Sequence, residues 1–211
     1  DSDGDGTNDG DEDSDSDGLS DAIELYSYHS DPKLADTDQD GLNDNDEVEH
    51  GTDPLKSDSN GDGIIDGDED SDSDGLSDSD EFNKHNTNPN LPDSDRDGLN
   101  DGEEVNNYKT DPSLRDTDKD RLNDGLEVND LGTDPLKADT DEDGSNDSDE
   151  IRKHKTDPTV ADTDQDGLSD GVEINTYFTD PNEADSDRDG LNDGEEVNPH
   201  KTNPLEADTD K

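Results

Sequence analysis

The feature that most constrains this chain is a twelve-residue acidic pattern that recurs in register along it. In Asp36 to Glu47, DTDQDGLNDNDE, acidic side chains occupy positions one, three, five, nine and twelve, and Gly41 occupies position six. The pattern begins at Asp1, Asp13, Asp36, Asp58, Asp70, Asp93, Asp116, Asp139, Asp162 and Asp185, which gives ten complete copies, and an eleventh begins at Asp208. Most steps are 23 residues. One is 22, from Asp36 to Asp58, and two are 12, from Asp1 to Asp13 and from Asp58 to Asp70, where loops abut without a linker. A fixed period of this size marks an array of small units, each too small to hold a core of its own.

Composition shows what the repeat must supply. Hydrophobic residues are 18% and aromatic residues 3% of the 211, against roughly 45–50% apolar content in an ordinary soluble domain. So little apolar surface cannot offset the entropy of ordering a chain. The formal charge of -54 would drive a compact body apart. There is no cysteine for disulfides or thiolate metal sites. No apolar run reaches the length of a membrane span and no signal peptide is visible. A polyanion also does not seek nucleic acid; cations and basic surfaces are its natural partners.

The loops provide for a cation. Calcium takes six to eight oxygen ligands in flexible geometry, and its loop motif D-x-[DN]-x-[DN]-G-x5-E uses carboxylates at one, three and five, a glycine turn at six and a glutamate at twelve. Nine of the ten copies match in full. The expected ligands are Asp1, Asp3, Asp5, Asp9 and Glu12 in the first loop and Asp13, Asp15, Asp17, Asp21 and Glu24 in the second. They continue with Asp36, Asp38, Asp40, Asp44 and Glu47, then Asp58, Asn60, Asp62, Asp66 and Glu69, then Asp70, Asp72, Asp74, Asp78 and Glu81. Next come Asp93, Asp95, Asp97, Asp101 and Glu104, then Asp116, Asp118, Asp120, Asp124 and Glu127, then Asp139, Asp141, Asp143, Asp147 and Glu150. The last are Asp162, Asp164, Asp166, Asp170 and Glu173, then Asp185, Asp187, Asp189, Asp193 and Glu196, with Asp208 and Asp210 opening the eleventh copy. Of the 50 positions in complete loops, Asn60 alone is not acidic. Magnesium demands tight octahedral geometry, and zinc and copper prefer His or Cys, so calcium is the expected ion. Ten dications would bring -54 only to -34, so a second ion per unit is expected. Linker Asp and loop position eleven are candidate ligands for it.

The linkers repeat as well. TDPLKA at Thr133 to Ala138 and TDPTVA at Thr156 to Ala161 place a Thr-Asp-Pro before the next loop. Proline fixes φ and biases the preceding residue away from helix, so the tripeptide is expected to end a helix that starts near position nine and lasts one to two turns. For the linker acids Asp31, Asp53, Asp111, Asp134, Asp157 and Asp180, an Asx-turn is favoured over a ligand role. Three apolar points per unit are available for packing. They are position seven (Leu19, Leu42, Leu99, Leu168, Leu191), position thirteen (Val48, Phe82, Val105, Ile151, Ile174) and the residue two after proline (Leu34, Leu55, Leu114, Val160). The five histidines fall in linkers and are expected at the surface. The many serines at even loop positions are expected to be solvated spacers, so no catalytic group is expected. In loop 116–127, Arg121 replaces the glycine, which costs about 1 kcal/mol for a side chain at positive φ. That site is expected to form but to bind more weakly.

The motif DxDxDGLxDxxE with a T-D-P linker resembles bacterial thrombospondin type 3 repeats over essentially the whole chain. The resemblance implies calcium-dependent rods or stalks of secreted and cell-surface proteins, with loop acids such as Asp93, Asp95, Asp97, Asp101 and Glu104 as ligands. The disulfides that brace animal members are absent here. EF-hand and dockerin loops match less well. They carry an apolar residue at position eight, where this chain has Asn or Ser in nine copies and Ile65 in the other.

The expected fold is therefore a calcium-stabilised repeat array of mostly irregular loops with short helical turns, elongated and solenoid-like, with a minimal hydrophobic core. Residues 1–211 read as one continuous tandem array, a segment of a longer chain. The expected function is a structural, calcium-rigidified extracellular or cell-surface rod, stalk or fibre, with self-association or lateral contact between chains as further partners. The alternatives are a calcium-dependent spacer or binding module between domains of a larger secreted enzyme or adhesin, and a disordered ion-buffering polyanion. The strict register argues against the last.

Overall fold

Each repeat is organised by its own carboxylates. The computed structural model describes residues 10–207, so the expected ligands Asp1, Asp3, Asp5, Asp9, Asp208 and Asp210 lie outside the described residues. In loop 36–47 the position-one carboxylate of Asp36 accepts from the N–H of Gln39 (2.6 Å) and of Gly41 (3.1 Å). These bonds wrap the chain through two left-handed residues, Gln39 at φ +66 and Gly41 at φ +101. Asp40 at position five then accepts from Leu42 N–H (2.9 Å). The loop closes when the position-nine N–H donates to the carbonyl just before position one, as from Asp44 to Ala35 (2.8 Å) and from Asp170 to Ala161 (3.0 Å).

Helix begins at position nine, as the spacing predicts. Position eight is extended and precedes the first turn, as at Asn43 (φ -84, ψ 160), whose side chain accepts from Asp46 N–H. The Asn and Ser at this position stand at helix N-caps, and the side chains of Asn43, Ser77 and Asn146 accept from an N–H of the first turn. One tight turn follows, for example Asp101–Glu103 or Asp170–Val172, and then a wider one, Glu104–Tyr108 or Glu173–Tyr177. In the wide turn the position-twelve carbonyl accepts from the N–H five residues on, from Lys109 to Glu104 and from Phe178 to Glu173, both at 2.6 Å. Such π-type turns are rare and concentrate at functional sites. The Asp44–His50 helix stays α-helical throughout. The helices stop at a left-handed residue, Lys109 (φ +67) or Phe178 (φ +64), three positions before proline. The expected helix stop is present.

The linker-less loop 58–69 departs from this pattern. It has only a single 3-10 turn, Asp66–Asp68, and Glu69 is extended (φ -66, ψ 157), leading straight into the next loop.

Of the three expected apolar points, one is buried. Leu19, Leu42, Leu76, Leu99, Leu122 and Leu168 at position seven are at most 7% exposed. Position thirteen is half-buried at Val48, Phe82, Val105, Ile151 and Ile174. Leu34, Leu55, Leu114 and Val160 after proline are exposed, because the Asx-turn that carries them faces solvent. At position seven Leu191 is half-buried, Ile64 in loop 58–69 is exposed and loop 139–150 has Ser145. A buried leucine stabilises its repeat by about 1.5–3 kcal/mol, far below the roughly 1–2 kcal/mol per residue lost in ordering the backbone. The remaining interior is acidic: Glu47, Glu104, Glu127, Glu150 and Glu173 are fully buried.

The chain forms two compact units, one up to Ser113 and one from Leu114. No helix among the described residues is long and apolar enough to cross a membrane.

Candidate metal centres

Two kinds of carboxylate cluster recur. The first lies within a loop and joins positions one, three and five, as in Asp13 with Asp15 and Asp17, Asp36 with Asp38 and Asp40, and Asp70 with Asp72 and Asp74. The second spans consecutive loops. It joins positions five and twelve of one loop to position nine of the next, as in Asp17 with Glu24 and Asp44, and Asp40 with Glu47 and Asp66. In each set one oxygen from every residue lies within 4.8 Å of the others.

This corrects two expectations. Position nine was expected to serve its own loop, but the structure places it in the cluster of the preceding loop. Within its own loop Asp44 holds position two instead, accepting from Thr37 N–H and Thr37 Oγ1, both at 2.8 Å. Asp170 does the same with Thr163 and Asp193 with Ser186. In the clusters of Asp17 with Glu24 and Asp44 and of Asp40 with Glu47 and Asp66, neither a linker Asp nor position eleven takes part. This agrees with the Asx-turn favoured for the linker acids and departs from a ligand role for position eleven. The linker acids form Asx-turns, as where Thr159 N–H donates to Asp157 (3.0 Å). Position eleven makes surface ion pairs, Asp149 with Lys153 (2.7 Å) and Asp80 with Lys84. Carboxylates on mobile surface groups balance lysine; those pinned by N–H donors gather inside.

Two roles were invisible in the pattern of acids. The position-two hydroxyls are not spacers: Thr37 Oγ1 donates to Asp44 while accepting from the linker Asp31 N–H (3.0 Å), fixing loop to linker. The linker threonine does more than turn the chain. Thr110, Thr133, Thr156 and Thr179 are buried, and each donates at 3.0 Å to one oxygen of the position-twelve glutamate, Glu104, Glu127, Glu150 and Glu173. Invariance of the T-D-P spacing across the copies was the available signal for this.

The other glutamate oxygen has no protein partner. Oε2 of Glu47, Glu81, Glu104, Glu127, Glu150, Glu173 and Glu196 is buried without a hydrogen bond, and so is Oδ2 of Asp72, Asp95, Asp118, Asp141, Asp164 and Asp187 at position three. Buried polar atoms are nearly always partnered, and a buried charge without a partner is costly. The proton affinities reflect this. Burial, then the carboxylates of Asp95, Asp97 and Asp101, push Glu104 up to about 8 against the lowering hydrogen bond from Thr110. Burial with Asp38 and Asp40 pushes Glu47 to about 9. Burial and Asp97 push Asp95 to about 7. An all-oxygen set with orphaned, mutually repelling carboxylates fits a hard divalent cation.

Consecutive repeats are joined at the same places. The second oxygen of the position-five carboxylate accepts from the position-ten N–H of the next loop. Gly102 donates to Asp74 (2.8 Å), Ser148 to Asp120 (3.1 Å), Gly171 to Asp143 (2.5 Å) and Gly194 to Asp166 (2.9 Å). A Cβ on Gly171 would lie 2.5 Å from the Asp143 carbonyl oxygen and 2.7 Å from the Gly144 carbonyl carbon, so this position is kept small by close backbone approach.

Arg121 occupies its glycine position at φ +87, and its N–H still reaches Asp116 (2.9 Å). The loop forms as expected. His50 overturns the expectation that the histidines lie at the surface. Its side chain is 7% exposed, with Nε2 at 3.0 Å from Asp78 and 3.2 Å from Ser71 Oγ, and it packs edge-on to Phe82. His50 thus joins the end of the Asp44–His50 helix to the loop that starts at Asp70, past the linker-less loop 58–69.

The bacterial TSP3 repeat profile matches residues 13–35, 36–57, 70–92, 93–113, 116–138, 139–161, 162–184 and 185–207. No curated protein matches the chain as a relative. Among solved structures, the B domain of a biofilm associated protein is 45% identical over 22% of this chain and 11% of its own length, with a TM-score of 0.22. The BSP domain of a biofilm associated protein is 48% identical over 21% of this chain and 8% of its own, with a TM-score of 0.21. The chain thus spans about a tenth of these two structures. With eight matched repeats covering most of its length and an acidic interior built at the repeat spacing, the chain belongs to the bacterial TSP3 repeat family, whose repeats bind calcium.

Proposed function

We propose that the chain is a structural array in which calcium takes the place of a hydrophobic core, serving as a rigid extracellular or cell-surface rod, stalk or fibre. The observation that carries this reading is the row of buried, unpartnered oxygens at positions three and twelve. A protein interior built of such groups is stable only with positive charge inside it. The residues at positions one, three, five, nine and twelve of each loop are the ligands. Each regular repeat holds two ions, one in the within-loop cluster and one in the cluster completed by position nine of the next loop. Metal binding then supplies folding free energy, and the ion-free chain is expanded.

Residues 1–211 act as one continuous array with no catalytic role, and lateral contact between chains is its further interaction. Small-angle scattering and circular dichroism, with calcium and with chelator, test the structural reading. Calcium is expected to order and stiffen the chain. An array that stays equally disordered in both would refute it. Counting bound ions by elemental analysis after gel filtration tests the stoichiometry. One ion per loop or fewer would refute the second site.

A further inference from the structure

We propose that Asn60–Gly61 is a site of spontaneous deamidation, which converts the one neutral ligand position into a carboxylate, and that a bound cation holds the reaction in check. Asn60 is the only non-acidic residue at the five ligand positions of the complete loops, and Asn60–Gly61 is the only Asn-Gly pair in the chain. The pair sits in the loop that departs most from the repeat. The family profile passes over residues 58–69. Residues 60–65 are all exposed, and nothing lies within 4 Å of where a Cβ on Gly61 would be.

The local bonds suit the chemistry. Gly61 N–H, the nucleophile, donates to Asp58 Oδ1 (2.6 Å), a carboxylate placed to receive its proton. Asn60 Nδ2, the leaving nitrogen, donates to Glu69 Oε1 (2.6 Å). Glycine lets the backbone nitrogen approach Cγ without a side chain in the way. The Gly61 N–Cγ bond forms and the Cγ–Nδ2 bond breaks. The amide nitrogen leaves as ammonia, with its third hydrogen replacing the proton lost from Gly61. One water then opens the five-membered imide. Opening at one carbonyl gives aspartate, which completes the acidic set of the loop. Opening at the other gives isoaspartate, whose extra backbone carbon breaks the spacing between Asp58 and Asp62.

Protection by the cation rests on the calcium reading above. An ion held by Asp58 and the Asn60 carbonyl oxygen fixes both reacting groups. If only the ion-free loop reacts, free calcium at ten times the Kd of this loop slows the reaction about tenfold.

The test ages the intact chain at neutral pH with saturating calcium or with chelator and follows it by peptide mapping and mass spectrometry. The expected result is a mass gain at residue 60 as aspartate and isoaspartate, about tenfold faster in chelator at that calcium level, and absent at this position in Asn60→Gln. No gain at residue 60 in chelator, or a gain spread over the other asparagines, would overturn the modification. Equal rates in both arms, with calcium shown calorimetrically to fill the remaining loops, would overturn the protection while leaving the calcium reading standing. Absence of any calcium binding would instead remove the calcium reading, and the mass gain in chelator would still decide the modification.

Discussion

Gly171→Ala sets two physical effects against each other, and their sign can be read directly. Gly171 is the second residue of the short helix Asp170–Val172. Considered as a helix position alone, alanine should stabilise by about 0.5–1 kcal/mol. The contact to the preceding repeat predicts the opposite, because the new Cβ would meet backbone atoms of Asp143, Gly144 and Ser145 at 2.5–2.7 Å. Backbone atoms cannot rotate away, so the two repeats must separate. Ser148 shows the direction: with its Cβ in place, the equivalent N–H to carboxylate distance is 3.1 Å, compared with 2.8 Å at Gly102 and 2.9 Å at Gly194. Overpacking of this kind costs about 1–3 kcal/mol, leaving a net loss of about 1–2 kcal/mol after the helix gain. At 1.4 kcal/mol per tenfold, shared over two linked ions, the calcium midpoint of folding rises about two- to fivefold. Circular dichroism during a calcium titration measures it, against the unsubstituted chain under the same conditions. A midpoint that is unchanged or lowered in Gly171→Ala would refute close repeat-to-repeat packing as the reason for glycine here.

Thr110→Val removes the hydrogen bond to the buried Glu104 and is expected to destabilise the calcium-bound chain by about 1.5–3 kcal/mol, read from thermal melts at fixed free calcium. Arg121→Gly relieves a positive-φ side chain at +87 and is expected to return about 1 kcal/mol, visible in calorimetry as tighter binding at one class of sites; no gain would refute the strain. Calcium affinity is expected to rise with pH. Glu104 and Glu173 stand near 8 in the folded arrangement against an ordinary 4.5 when no cation faces them, so folding without calcium requires proton uptake. Acid favours it, and the advantage is lost as pH rises from about 4.5 through about 8, where calcium meets ionised ligands. Binding isotherms that do not change across that window would contradict the buried placement of these glutamates.

Much of this was legible in the sequence because the ligand acids also shape the backbone. Asp36 turns its loop through Gln39 and Gly41, so a pattern chosen for a cation also specifies the fold. The helix start at position nine and the stop before Thr-Asp-Pro followed from local chemistry. What sequence spacing did not reveal depends on which oxygen faces which repeat. Asp44 and Asp66 sit at the same position as every other ninth residue, yet they complete the cluster of the loop before them. The close approach at Gly171 and the burial of His50 against Asp78 likewise arise between repeats. No one-dimensional period encodes how far apart two turns of chain come to rest.

Within each compact unit the bonds from position five to position ten point one way along the chain: a repeat finishes a cluster begun by its predecessor and begins one for its successor. The regular junctions inside a unit therefore present the same two surfaces, and a whole repeat can be gained or lost there without redesigning either neighbour. For a gene that carries such an array, recombination between copies in frame would change the number of units and leave the chemistry of each junction intact, so repeat number becomes a quantity that selection can adjust in whole steps.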